Sequence, residues 1–121
     1  MASEIARNRD VAAERQDWLC CYCGMPMGGE GSPYASALTT MGRRFSVTAE
    51  HLQSRKDGGG DGTENIAAAH DICNRRRHRC KKPAPSECYG AHVRERVAVG
   101  RWFAKSELAQ LKVLAIAALA S

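Results

Sequence analysis

The stretch His70-Asp71-Ile72-Cys73-Asn74-Arg75-Arg76-Arg77-His78 decides how this chain is read. It opens on a His-x2-Cys pair, continues into Asn74 and His78 four positions apart, and carries arginines between them. Good helix formers and the absence of a breaker predict a helix over 71–79, stopped by Pro83 and Pro85. On such a helix Asn74 and His78 share one face, a turn apart.

The two-residue gap of His70-x2-Cys73 recurs upstream in Cys20-x2-Cys23, with 46 residues between the pairs. A Cys-x2-Cys turn lets two sulfurs converge on one tetrahedral ion, and Gly24 suits the positive φ such a turn requires. Cys20, Cys23, His70 and Cys73 thus form a Cys3His set, the donor set of a closed structural zinc site. The plainer alternative, three buried thiols and a surface histidine, does not account for the matched spacing. Cys21 is expected to turn its sulfur away from the ion. Cys80 and Cys88 are read as free thiols, because their spacing to each other and to His92 matches no ligand pattern.

Between the pairs, Phe45, Val47 and Ala49 alternate within 43–51, which predicts a short strand ending at Glu50-His51. Residues 53–63, with Gly58-Gly59-Gly60 and Asp61-Gly62, read as an open loop. No Gly-Lys-Ser/Thr follows and the acidic spacing fits no calcium loop. A second strand over 65–69 is read from context, since its alanines alone favour helix. A helix packed across two such strands can aim Asn74 and His78 at Glu50. That places a carboxylate, an amide and an imidazole around one metal, with His51 beside it.

Working outward, 3–17 reads as a helix capped by Ser3, 24–42 as loop, and 86–95 as a helix capped by Ser86. Gly100 interrupts before a last helix over 104–120. Its end, Val113 to Ala120, is apolar on every face, too short to span a bilayer. Burial against the domain's own core is the favoured reading for it, and a homodimer contact is the alternative. The 121 residues suit one domain, divided into an N-terminal helix (1–19), a core (20–82) and a helical extension (83–121). The fold class expected is α+β.

With 44% hydrophobic residues but only two Trp, three Tyr and two Phe, the core is modest. Collagen-like, coiled-coil and disordered classes are excluded by the absence of short repeats and the even spread of apolar residues. No apolar run reaches membrane-spanning length, and Met1-Ala2-Ser3-Glu4-Ile5 lacks a cationic region followed by an apolar one. The expected setting is therefore a reducing cytoplasm, where cysteines serve metals before disulfides. The net charge is +5, yet Arg75, Arg76, Arg77, Arg79, Lys81 and Lys82 alone supply six cations with no acid among them. A solvated face is the usual fate of such a run. Its position directly behind the ligand pair favours an anionic partner instead.

The set Glu50-His51, Asn65, Cys73-Asn74 and His78, with the Cys20-x2-Cys23-Gly24 turn outside it, resembles the HNH endonuclease family, in its zinc-knuckle branch. The resemblance covers about residues 20–80 and implies a ββα-metal core with a Cys3His zinc knuckle. It implies that His51 is the general base on water and that Asn65 orients its imidazole. It further implies that Glu50, Asn74 and His78 hold a divalent ion, Mg2+ or a transition ion such as Mn2+, Ni2+ or Zn2+. Cys20, Cys23, His70 and Cys73 match the structural zinc ligands. Two positions depart from the family pattern: Glu50 is one methylene longer than the usual Asp, and His70 replaces the commoner Cys.

The chemistry expected is hydrolysis of phosphodiester bonds in double-stranded DNA. An anionic diester repels hydroxide, so a base on water and a cation on the developing charge are both needed. Arg55, Lys56, Arg75, Arg76, Arg77, Arg79, Lys81 and Lys82 are the candidate phosphate contacts, and Arg43 and Arg44 could extend their track. A zinc-stabilised nucleic-acid-binding module without catalysis, and a nuclease acting on RNA, are the alternatives.

Overall fold

The computed structural model describes residues 2–120. In chain order it contains α1 (Glu4–Arg15), a four-residue helix α2 (Ala35–Leu38), β1 (Val47–His51), β2 (Ile66–His70), α3 (Asp71–His78), α4 (Ser86–Ala98) and α5 (Lys105–Ala120). Mixed helix and a two-stranded antiparallel sheet make it an α+β fold. Among the described residues, no helix is long and apolar enough to cross a membrane.

The hairpin pairs Val47 with His70 and His51 with Ile66, which sets Glu50 opposite Ala67. Every residue of β2 is buried. Its three alanines present so little bulk that α1 packs on the sheet while α3 leaves directly from its end. Gln16, just past α1, clips the strand: its amide donates to Ala68 O at 2.9 Å and accepts from Ala68 N at 3.0 Å. The composition's pull toward helix is overridden by that pairing.

Ser3 caps α1 as expected, accepting from Ala6 N at 3.1 Å. Asp17 and Trp18 then sit at φ 55° and 58°, a conformation costing about 1–2 kcal/mol per non-glycine residue. Burial of Trp18, whose indole donates to Glu14 at 3.0 Å, offsets that cost and turns the chain into the cysteine turn. The core joins Trp18, Tyr22, Met27, Phe45, Ile72, Tyr89, Val93, Trp102, Phe103 and Leu111.

Several boundaries differ from expectation. Arg43–Phe45 is a helical turn, and the strand starts only at Val47, because Phe45 is drawn wholly into the core. The segment read as loop contains α2 and a turn over Thr39–Met41, seated by buried Leu38. Ser86 begins α4 without capping it, and the helix runs on to Ala98 before Gly100 at φ 74°. The main correction concerns α5. Among its described side chains only Leu111 is buried, with Leu108 and Leu114 packed against the core, while Val113, Ile116 and Leu119 are exposed. One stripe of a helix can face a core this small; the other faces have nothing to bury against.

Candidate functional site

The cysteine turn and the β2–α3 junction bring four side chains together. The ligand atoms of Cys20, Cys23, His70 and Cys73 lie within 4.8 Å of one another, all buried. Ligands on a tetrahedral zinc would stand roughly 3.5–3.8 Å apart, so the quartet is the right size for one ion. Gly24 adopts φ 74°, and its amide closes the turn on Cys20 O at 2.9 Å. Backbone amides of Tyr22 and His70 approach Cys20 Sγ at 3.4 Å, and the Trp102 indole approaches Cys73 Sγ at 3.4 Å. These donors suit thiolates.

His70 is oriented for the same role. Its Nε2 donates to Pro26 O at 2.7 Å, which leaves the Nδ1 lone pair facing Cys23 Sγ at 3.2 Å. Burial opposes ionisation of Cys20, but hydrogen bonds from Cys21, Cys23, Cys73 and His70 outweigh it and hold that thiol well below its ordinary range. Cys23 is pushed up, first by burial, and Cys73 first by its hydrogen bond with Cys20. A divalent metal bound by these thiols would displace their protons. The group could hold an ion such as zinc. Cys21 lies outside the quartet.

The second cluster lies where β1 meets α3. A cavity of about 380 Å³ is lined by Ala49, Glu50, His51, Ser54, Arg55, Asn74 and His78. Glu50 is 1% exposed and hydrogen-bonded on both oxygens. Oε2 accepts from the Tyr22 hydroxyl at 2.8 Å and from Arg77 at 3.2 Å, and Oε1 faces His78 Nε2 at 3.0 Å. Asn74 donates its amide to Thr48 Oγ1 at 3.2 Å and Ala49 O at 3.1 Å, which leaves its oxygen free among the described residues. Two neighbouring ligands on an octahedral ion at about 2.1 Å stand about 3.0 Å apart, the separation of Glu50 and His78. Glu50, Asn74 and His78 are the residues of this cavity that could hold a divalent ion, through a carboxylate oxygen, an amide oxygen and an imidazole. Arg77 and Tyr22 occupy Oε2 and limit Glu50 to a single-oxygen contact.

His51 does not meet Asn65. Its Nε2 lies 2.8 Å from Asp61 Oδ1. Asn65 accepts from Gln53 N at 2.9 Å and donates to Gln53 O and Gly60 O at 2.9 and 2.8 Å, so it braces the loop that carries Asp61. The Asp61 carboxyl is held below its usual range, first by the His51 hydrogen bond and then by Arg55.

Compared with protein-family models, with curated proteins and with solved structures, the chain matches none. Its chemistry is therefore read from its own side chains.

The cationic run divides. Arg75, Arg79, Lys81 and Lys82 are exposed, as are Arg55 and Lys56. Arg76 stacks over Trp102 at 4.6 Å and donates to Trp102 O at 2.7 Å. Arg77 corrects the expectation of a phosphate contact. It is 7% exposed and spends its donors on Glu50, Tyr22 and the carbonyls of His51, Leu52 and Ala84. It lies one turn beyond Cys73, on the buried face of α3, and that spacing is the signal that marks it. Arg44, half exposed, pairs with Glu107 at 2.6 Å. Tyr22, Trp102 and Asp61 are the contributors the sequence reading missed. Tyr22 could have been found as the aromatic inside the cysteine turn; the other two carry no local pattern.

Proposed function

We propose that this chain is a metal-dependent endonuclease of the HNH kind, hydrolysing phosphodiester bonds in DNA and built on a ββα-metal core with a separate structural zinc. The observation that supports this most is the single cavity shared by Glu50, His51, Asn74 and His78. An imidazole to act as base on water, beside groups that would hold a divalent cation, are the parts that metal-assisted diester hydrolysis uses. Glu50, Asn74 and His78 would hold a divalent ion, which would supply positive charge to the scissile phosphate. His51 takes the proton of the attacking water. The Cys3His group fixes the β2–α3 junction, so that Asn74 and His78 keep their distance from Glu50 on β1.

A wider groove of about 930 Å³ adjoins the cavity, sharing Ser54 and His78 with it, and Lys56, Lys81 and Lys82 line it against two acids, Asp57 and Glu87. An anionic strand suits that lining, and such contacts give affinity without reading sequence.

One observation favours the second reading, a zinc-stabilised nucleic-acid-binding module. Glu50 already has a full set of donors in Arg77, Tyr22 and His78, the arrangement of a structural buried carboxylate. The test is incubation of the zinc-loaded protein with supercoiled, linear and single-stranded DNA and with RNA, across Mg2+, Mn2+, Ni2+, Co2+ and Zn2+. Cleavage of duplex DNA that requires added metal supports the endonuclease. Binding without cleavage under every metal supports the module, and cleavage confined to RNA transfers the same chemistry to that substrate.

A further inference from the structure

Asp61 lies in the glycine-rich loop, where no resemblance or spacing singles it out, yet it is the most firmly held side chain there. Its Oδ1 meets His51 Nε2 at 2.8 Å. Arg55 spans both carboxylate oxygens, Nε to Oδ1 at 3.1 Å and Nη2 to Oδ2 at 3.2 Å. The backbone is held as well. Asn8 of α1 donates to Asp61 O at 2.7 Å, Asn65 donates to Gly60 O at 2.8 Å, and Gly59 N donates to Ser54 O at 2.8 Å. A loop tip pinned by a helix 53 residues away and by the start of a strand is a built position.

From this geometry we infer that Asp61 is the positioning residue for His51, resting on the endonuclease reading above. The carboxylate accepts a hydrogen bond from Nε2–H, which fixes the imidazole as the Nε2–H tautomer. Nδ1 is then the nitrogen left with a lone pair, and it is the atom that takes a proton from water. Asn65 acts at one remove, holding the loop that holds Asp61. Arg55 serves the carboxylate before it serves a phosphate.

The experiment has two arms. In the first, the metal-loaded protein is studied by nitrogen-15 NMR without substrate, the His51 ring being assigned by its loss in His51→Gln. A single Nε2–H tautomer is expected for the wild type, and a mixture of tautomers in Asp61→Ala. A mixture already present in the wild type overturns the inference without recourse to any variant. In the second arm, Asp61→Ala should lower kcat for plasmid cleavage about 10- to 100-fold, as for other outer partners that orient a working imidazole. KM should stay within about twofold, because Asp61 does not touch the substrate. Unchanged kcat, or a loss carried by KM alone, overturns the inference and leaves the endonuclease reading standing. Failure of the wild type to cleave under any metal overturns both.

Discussion

Arg77→Ala should be far more damaging than any other loss from the cationic run. Arg77 and Glu50 lie 3.2 Å apart with side chains 7% and 2% exposed. At an effective dielectric constant near 20 their attraction is about 5 kcal/mol. Removing the guanidinium strands a buried carboxylate and leaves three backbone carbonyls short of a donor. The Tyr22 hydroxyl and His78 remain to compensate Glu50 in part. The net cost expected is about 3–5 kcal/mol, the range for breaking one side of a buried pair. In a domain of this size that lowers Tm by roughly 10–20 °C.

Urea unfolding at saturating zinc measures the loss, with Arg79→Ala, an exposed neighbour on the same run, expected to cost less than about 0.5 kcal/mol. Glu50→Gln and the double variant complete a cycle, in which the double loss should fall short of the sum of the single losses. A loss below about 1 kcal/mol for Arg77→Ala, or strict additivity, would refute the reasoning that this pair is desolvated and coupled.

Removal of the ion from the Cys3His group by a strong chelator should unfold the β2–α3 junction, with one zinc released per chain and loss of helical circular dichroism; an unchanged spectrum would count against a structural site. Trp102→Phe should keep the fold but release zinc about 10- to 100-fold faster, since the indole donates to Cys73 Sγ, and stopped-flow transfer to a chromogenic chelator reads this. Tyr22 and Tyr89 are both raised above the ordinary value of 10.0, chiefly by burial. The stability they contribute is therefore complete below pH 10 and is lost as the pH rises above it, where unfolded tyrosines ionise and these two do not. Equilibrium unfolding from pH 8 to 11 should show that decline, and Tyr22→Phe should make it shallower.

What the sequence made legible follows from where the information resides. The Cys-x2-Cys turn and His70-x2-Cys73 are local geometries, so each spacing brings two ligands together, and docking of the turn on β2 brings all four to one point. Glu50 and His78 meet at 3.0 Å because a short strand and a single helix leave few ways to be packed. The alanines of β2 carry no strand signal of their own, and pairing with β1 decides them. Four arginines in five positions, 75–79, must turn at least one inward on a helix, and only the face shared with Cys73 says which. The His51–Asp61 contact depends on how a glycine-rich loop closes, which has no period to read. For α5, apolar composition on every face gave no stripe. The packing of Leu108, Leu111 and Leu114 selects one only after the core exists.

The measurement that reaches furthest into this account is plasmid cleavage by wild type and His51→Ala, side by side, at matched zinc content and matched Tm. Wild-type protein is expected to nick or cut supercoiled DNA when a divalent metal is added. His51→Ala is expected to lose at least about 100-fold in rate while still binding the DNA, as for removal of a general base. Undiminished cleavage by a folded, zinc-loaded His51→Ala would contradict the account.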